Sequence, residues 1–302
     1  MKKLILSAFF ALAAISLMAQ TPVSLKLNLE KGKVYKAKNT SVQKMQMTYG
    51  GQPVNMDITS NKVVSFKVLK QEGEVMDIEF GFDTIASKTV SPMMSKEMNS
   101  AKPAGNDPLD RLMNKISANK IVAKISTNGK FVDFVTYPKF KDNVMMVLDS
   151  IPAGKRDQAK TIADMLLKES AMKSMIEPFF AYLPEVVVKT GDTWETTYIS
   201  SANGISMVIL NTYNLKGIEK GVATISGKSD IEALPNTDPN AQMSQELKGS
   251  LTFDGTIDVA TGLNLKNTAK GRIEGTTTVK NNGQEMKIPV VIDSQSETIV
   301  FK

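Results

Sequence analysis

Polar and apolar residues alternate one for one along most of this chain, and that period decides what it can fold into. Val23, Leu25, Leu27 and Leu29 alternate with polar neighbours up to a Glu30-Lys31-Gly32-Lys33 turn. A long stretch runs on through Tyr35, Met45 and Met47 to Gly50-Gly51-Gln52 and returns through Val54, Met56, Ile58, Val64, Phe66 and Val68. Gln71-Glu72-Gly73 turns it again into Met76, Ile78, Phe80 and Phe82. The rhythm resumes after Val186, in Ile205, Met207 and Ile209, in Leu251 and Phe253, in Ile257 and Val259, and in Met286, Ile288 and Val290. Successive strand side chains point to opposite faces, so the pattern specifies antiparallel strands with one apolar and one wet face. Pro289 cannot donate to a ladder, which puts its strand at an edge or a bulge.

Between these stretches the period lengthens. Residues 91–106 read as a loop. Asp107-Pro108 opens a short helix, with Asp107 as N-cap and Pro108 at the first helical position, burying Leu109, Leu112, Met113 and Ile116. A hairpin follows over 121–137, turning at Asn128-Gly129. Over 139–183, Val144, Val147, Leu148 and Ile151 mark one helical face, and Ile162, Met165, Leu166, Met172, Met175, Ile176 and Phe179 mark the next. Pro178 ends or kinks that helix. The expected fold class is α+β, mostly β: a long antiparallel meander forming a curved sheet or half-barrel, with a helical insertion packed on its concave face.

The expected organisation is a signal peptide over 1–19 and a single β-rich domain over 20–302, with the helical insertion at about 139–184. The flanking halves, about 22–137 and 186–302, resemble one another. Glu30-Lys31-Gly32-Lys33-Val34-Tyr35 parallels Val188-Lys189-Thr190-Gly191-Asp192-Thr193-Trp194, and residues 66–73 parallel 213–221. Either a duplicated meander or the general likeness of hairpins accounts for this.

Lys2 and Lys3 precede an apolar run from Leu4 to Met18 that ends at Ala19-Gln20-Thr21, the pattern of a cleaved export signal. The run falls short of the about 20 apolar residues of a bilayer span. The expected product is exported, periplasmic or secreted and soluble, with no transmembrane span after cleavage. With no Cys at the cut it is not a lipoprotein. The 302 residues hold no Cys and no His. That excludes disulfides, thiolate nucleophiles, Fe–S clusters, Ser-His-Asp triads and His-ligated metals. The net charge of +6 falls to about +4 without Lys2 and Lys3. The lysines are scattered along strands rather than clustered with arginines and stacking aromatics, so no nucleic-acid partner is expected.

Few residues suggest chemistry. Ser170-Ala171-Met172-Lys173 and Lys189-Thr190-Gly191 match two motifs of penicillin-binding enzymes, but they lie only about 16 residues apart and no Ser-Asp-Asn accompanies them. Asp77 and Glu79, and Asp192 and Glu195, are the carboxylate pairs available, and both read as ordinary solvent-facing positions. Asn236, Asp238 and Asn240 lack the central Gly and distal Glu of a calcium loop. No catalytic residue, metal site or cofactor is expected.

The methionines say more. Sixteen of the 18 follow the signal, in strands, in the 91–106 loop and on helices. Methionine fills irregular gaps and makes adaptable apolar surfaces. The pattern fits plain core packing or a pliable pocket between the sheet and its helical cover. The pocket reading assigns Met45, Met56, Met113, Met165, Met172, Met175, Phe179 and Trp194 to ligand binding.

The signal ending in Ala19-Gln20, the opening Leu25-Lys26-Leu27-Asn28-Leu29-Glu30-Lys31-Gly32-Lys33-Val34-Tyr35 and the stretch Lys189-Thr190-Gly191-Asp192-Thr193-Trp194 together resemble an uncharacterised family of exported Bacteroidota envelope proteins, a domain of unknown function. That resemblance brings no catalytic residues. More loosely, long meandering strands with a helical insertion resemble the half-barrel lipoprotein-carrier proteins of the bacterial envelope, which hold acyl chains under helices. The function expected is that of an exported, non-enzymatic envelope protein binding lipid or another apolar ligand between sheet and helices. The alternative is a structural or protein-interaction module of the envelope, partnered by an outer-membrane protein and holding no small molecule.

Overall fold

The computed structural model describes residues 22–103, 105, 107–202, 205–235, 243–281 and 284–301. The expected signal peptide over 1–19 and the Asn236, Asp238 and Asn240 stretch lie outside the described residues. Among the described residues twelve strands form one antiparallel sheet. In chain order they are β1 (Val34–Tyr49), β2 (Gln52–Glu72), β3 (Val75–Ser91), β4 (Met94–Asn99), β5 (Lys120–Ser126) and β6 (Phe131–Phe134). After the helices come β7 (Thr193–Ala202), β8 (Ile205–Glu219), β9 (Val222–Ala233), β10 (Met243–Asp258), β11 (Asn264–Asn281) and β12 (Gln284–Phe301). The sheet order is β6-β5-β3-β2-β1-β12-β11-β10-β9-β8-β7, with β4 alongside the far part of β3. The sheet is open: β1 and β12 meet at its centre, and β6 and β7 are its two ends.

Four α-helices among the described residues separate the strand sets: α1 (Pro108–Ser117), α2 (Tyr137–Met145), α3 (Ala153–Leu166) and α4 (Glu169–Ile176). Asp107 Oδ1 accepts the Leu109 N–H at 2.8 Å, so α1 starts where its cap and proline place it. Pro178 lies in a single 3₁₀ turn, Glu177–Phe179, that ends the helical run. α1 packs on β3 and β4, α2 on β5, and α4 on β7. The helical layer thus spans from one edge of the open sheet to the other. Phe180 follows it inward and meets Phe66 and Phe80 edge-on, at 5.3 and 5.8 Å between ring centroids.

Two sequence expectations are corrected. Within 91–106, residues 94–99 form β4 rather than loop. Ser91 Oγ accepts the N–H groups of Met93 and Met94 at 3.3 and 3.1 Å, closing a tight turn that lays β4 back on β3. Val23 to Leu29 alternate as a strand would, but they join the sheet nowhere beyond an isolated bridge from Val23 to Val188. They form a strap instead. The Leu27 N–H donates to Thr127 O at 2.6 Å and the Asn28 N–H to Thr261 O at 3.0 Å, while Leu25, Leu27 and Leu29 are buried. The strap therefore ties the β5–β6 turn to the β10–β11 turn and closes one end of the curled sheet. Gly262 makes that approach feasible: its φ is +69°, and a Cβ there would lie 2.2 Å from Lys26 O. Pro289 sits opposite Thr276 of β11, one residue beyond Val290, the last residue of β12 that β1 pairs. It is a local edge, as its missing N–H requires.

Candidate ligand-binding site

Opposed residues of antiparallel strands share a face, so the register sorts the helix-bearing, inward face into rows. Along β1 that face carries Tyr35, Ala37, Asn39, Ser41, Gln43, Met45 and Met47 in turn. The rows nearest the strap are apolar and lie under the helices. Tyr35 pairs with Phe66 and Ala37 with Val64 and Val300, and on the other side Trp194 pairs with Tyr213. The next rows are polar. Asn39 lies between Lys62 of β2 and Thr298 of β12, with Asn267 of β11 beyond. Ser41 lies between Ser60 and Ser296. Gln43, between Ile58 and Ser294 with Gly271 beyond, makes a third, mixed row, and past it the face becomes apolar again: Met45 between Met56 and Ile292, with Ile273 beyond, and Met47 between Val54 and Val290. Met207, Ala233 and Leu247 continue this band on β8, β9 and β10, beside Ile209 and Ile231. The distal band is one apolar cluster spanning six strands, and no helix among the described residues contributes to it.

The polar rows are unevenly satisfied. Asn39 Nδ2 donates to Thr298 Oγ1 at 2.9 Å, and the Ser41 and Ser60 hydroxyls bond at 2.7 Å. Asn267 Oδ1 is buried with no partner. The Lys62 ammonium has neither an ion pair nor a hydrogen bond among the described residues, and burial holds its pKa below the ordinary lysine value. No carboxylate occurs among the inward positions of β1, β2, β11 and β12 in these rows.

The opposite face offers a contrast. Grooves of about 630 and 390 Å³ cross it, both lined by Lys44, Arg272 and Asp293. Arg272 sits 3.4 Å from Glu274 and 3.8 Å from Asp293 in a lattice of exposed charges. Such a surface suits solvent rather than an apolar guest.

A model of a family of unknown function, DUF6263, matches residues 73–264. The chain belongs to that family. Its matched region runs from the β2–β3 turn through the helices to the start of β11, so this DUF6263 member owes the whole helical layer to the shared part. No curated protein sequence matches the chain. Among solved structures it is similar to a lipovitellin chain described for its lipid–protein interactions, at TM-score 0.49 and 12% identity. That alignment covers 91% of this chain and 26% of lipovitellin, so the DUF6263 chain spans about a quarter of that relative. A domain from Vibrio parahaemolyticus, described as an outer-membrane lipoprotein-sorting one, aligns over 88% of this chain and 83% of its own at TM-score 0.14 and 11% identity. An outer-membrane channel from Pseudomonas putida F1 aligns over 93% of this chain and 99% of its own at TM-score 0.25 and 9% identity. The site is read from the DUF6263 chain's own residues.

The eight residues that the sequence assigns to a pocket fall into two places. Met45 and Met56 face each other on β1 and β2 in the distal band, both half-buried. Met113 and Met172 are buried in the helix-covered core, with Met175 and Phe179 packed against it. Met165 is half-buried on α3. Trp194 is buried: its Nε1–H donates to Tyr182 O at 2.9 Å, and its ring stacks on Tyr213 at 5.2 Å. The helices and the sheet beneath them interlock as core, while a second apolar cluster lies further along the strands, with Ile231, Ala233, Leu247, Ile273 and Val290 buried and half-buried side chains around them. Met47, Met207, Ile209 and Ile292 are among its half-buried members. Sequence reasoning misses them as site residues, although their alternation is visible. It misses Lys62 because that residue reads as one more solvated strand lysine.

The remaining chemical candidates are accounted for by ordinary pairings. Asp77 bonds Lys124 at 2.7 Å, and Glu79 pairs with Lys67 and Lys120 at 3.2 and 3.0 Å, which hold its carboxyl below the usual range against the opposing effect of burial. Lys173 pairs with Glu177 at 3.5 Å rather than serving Ser170, which is exposed. The described residues hold no group of three or more carboxylates placed to bind a metal.

Proposed function

We propose that this chain is an exported, non-enzymatic envelope protein that shelters an apolar ligand, a lipid or acyl chain, against the distal band of its inward face. One observation carries the reading: an apolar surface continuous over six strands, on the concave side of the sheet and clear of the helical layer. Methionines at positions 45, 47, 56 and 207 give the surface the pliability that variable chain shapes demand. Covering about 300 Å² of acyl surface there contributes on the order of 7 kcal/mol before the costs of association. No helix among the described residues is long and apolar enough to cross a membrane.

The test is fluorescence of N-phenyl-1-naphthylamine, a neutral apolar probe. Its emission should rise on adding the protein, and the rise should be lost in the double variant Met45→Glu/Ile209→Glu. Met172→Leu, a core change, should leave it intact. No rise with the wild-type protein, or an equal rise with the double variant, overturns the reading.

A second reading, a protein-interaction module of the envelope, is favoured by the β3–β4 turn. Met93 there is 86% exposed, beside exposed Met94 and Val90. Co-purification of an outer-membrane protein that is lost in Met93→Ser/Met94→Ser, with no apolar ligand carried, would establish it instead.

A further inference from the structure

Among the described residues Lys62 is the one inward-facing lysine without an ion pair in the rows between the helix-covered core and the distal band; Lys96, opposite Thr89 on β4, pairs with Asp107 at 3.3 Å. The neighbours of Lys62 across the strands, Asn39 on β1 and Ile85 on β3, are neutral. The chain elsewhere pairs its lysines freely: Lys36 with Asp83 at 2.9 Å and Lys67 with Glu79 at 3.2 Å, both on the outward face of the same sheet region. An unpaired cation inside a curled sheet costs stability. Around it the polar row has bonding capacity left over. Asn39 Nδ2 keeps a second N–H beside its bond to Thr298, and the Ser41 and Ser60 hydroxyls, bonded to each other and able to reorient, sit in the next row. A positive charge with hydroxyl and amide donors at one end of an apolar band is the complement of an amphiphile with an anionic head.

We propose that the ligand is a single-chain amphiphile with a monoanionic head, a fatty-acid-type carboxylate, bound head inward, the head at Lys62 and the Asn39 and Ser60 donors and the tail along Ile58, Met56 and Met45 toward the open end. This rests on the reading of the distal band as an apolar ligand site. The spacing fits. Met56 lies six positions beyond Lys62 on β2, roughly 20 Å along the strand, against the about 15 Å that one leaflet of acyl chains spans in a bilayer. The head must be singly charged because these rows supply one cation without a counterion among the described residues, Lys96 being paired with Asp107. A phosphomonoester would leave a second charge without a counterion in a partly desolvated place.

The experiment measures displacement of N-phenyl-1-naphthylamine from the full chain by three ligands of equal chain length: sodium palmitate, 1-hexadecanol and hexadecyl phosphate. Wild type should bind palmitate at least about ten-fold more tightly than hexadecanol, the scale of one charge-assisted hydrogen bond, and more tightly than the phosphate. Lys62→Met should bind hexadecanol as well as wild type does and lose the preference for palmitate, while Lys62→Arg should keep it. Retained hexadecanol binding in Lys62→Met doubles as the check that this variant is folded. If wild type binds palmitate and hexadecanol equally, or Lys62→Met keeps the preference, the head assignment is overturned and the apolar site stands. If hexadecyl phosphate binds tightest, the monoanionic assignment is overturned. If none of the three displaces the probe, the apolar site and the head assignment fall together.

Discussion

The Tyr182 hydroxyl donates to Gly262 O at 2.7 Å and accepts the Asn264 N–H at 2.8 Å. One buried phenol thereby pins the segment after the helices to the β10–β11 turn, the same turn that the N-terminal strap crosses. Burial pushes the Tyr182 pKa up, so it remains a neutral donor throughout the accessible pH range. Tyr182→Phe keeps the ring and strands a buried carbonyl and a buried N–H. The expected loss is about 1–3 kcal/mol in urea unfolding. An unchanged midpoint would mean that the turn is held by the strap alone.

Lys62 should reveal itself in the pH dependence of stability. Burial lowers its pKa in the folded chain, whereas the unfolded lysine titrates near its ordinary value. Between the two values the unfolded chain binds more protons, so stability rises with pH across that interval. The penalty is fully present below the folded value and gone above the unfolded one. Lys62→Met should therefore be more stable than wild type at neutral pH, and its stability should lack that rise on the way to pH 10. Parallel curves for the two proteins would show Lys62 to be solvated. The expected gain in stability and loss of head-group preference in one variant is the trade that a binding residue makes.

Gly271 tests how the sheet acquires its curl. It faces inward on β11 opposite Leu251, and a Cβ on it would lie 2.0 Å from Ser250 O and 2.6 Å from Leu251 Cα. Those are backbone atoms of the neighbouring strand, so Gly271→Ala forces the strands to part. The expected cost is about 2 kcal/mol or more, with weaker naphthylamine binding because the distal band opens. A variant of unchanged stability would place the bend elsewhere.

The strands and the helix ends are legible in the sequence itself, and what is not legible has physical causes. The alternation in β1 and β2 is plain because one face of each strand is wet, and the Asp107 cap and Pro178 stop mark helix ends by local chemistry alone. The position of the helical cover is illegible. Tyr35 and Met45 lie in the same phase of the same strand, and only the tertiary path of the helices puts one under cover and leaves the other free. For that reason the spacing assigns Met113 and Met172, which the fold buries in the helix-covered core, to ligand binding and passes over Met47 and Met207 in the distal cluster. Residues 23–29 show the opposite failure. Their pattern is that of a strand, but their hydrogen bonds go to the Thr127 and Thr261 carbonyls at turn tips, partners that no local pattern announces.

Oxidation gives a test that needs no substitution, since methionine sulfoxide turns an apolar side chain polar. Mild peroxide should modify the methionines in order of exposure: Met93 first at 86%, then the other exposed ones, Met146, Met94, Met243 and Met286, then the half-buried Met45, Met47, Met56 and Met207, and last Met172 at 0%. Peptide mass spectrometry at successive times supplies the order, and naphthylamine fluorescence on the same samples supplies the function. Binding should survive the loss of Met93 and fall in step with the four band methionines while Met172 remains intact. A fall that tracked Met93 instead would move the apolar site from the inward band to the β3–β4 turn.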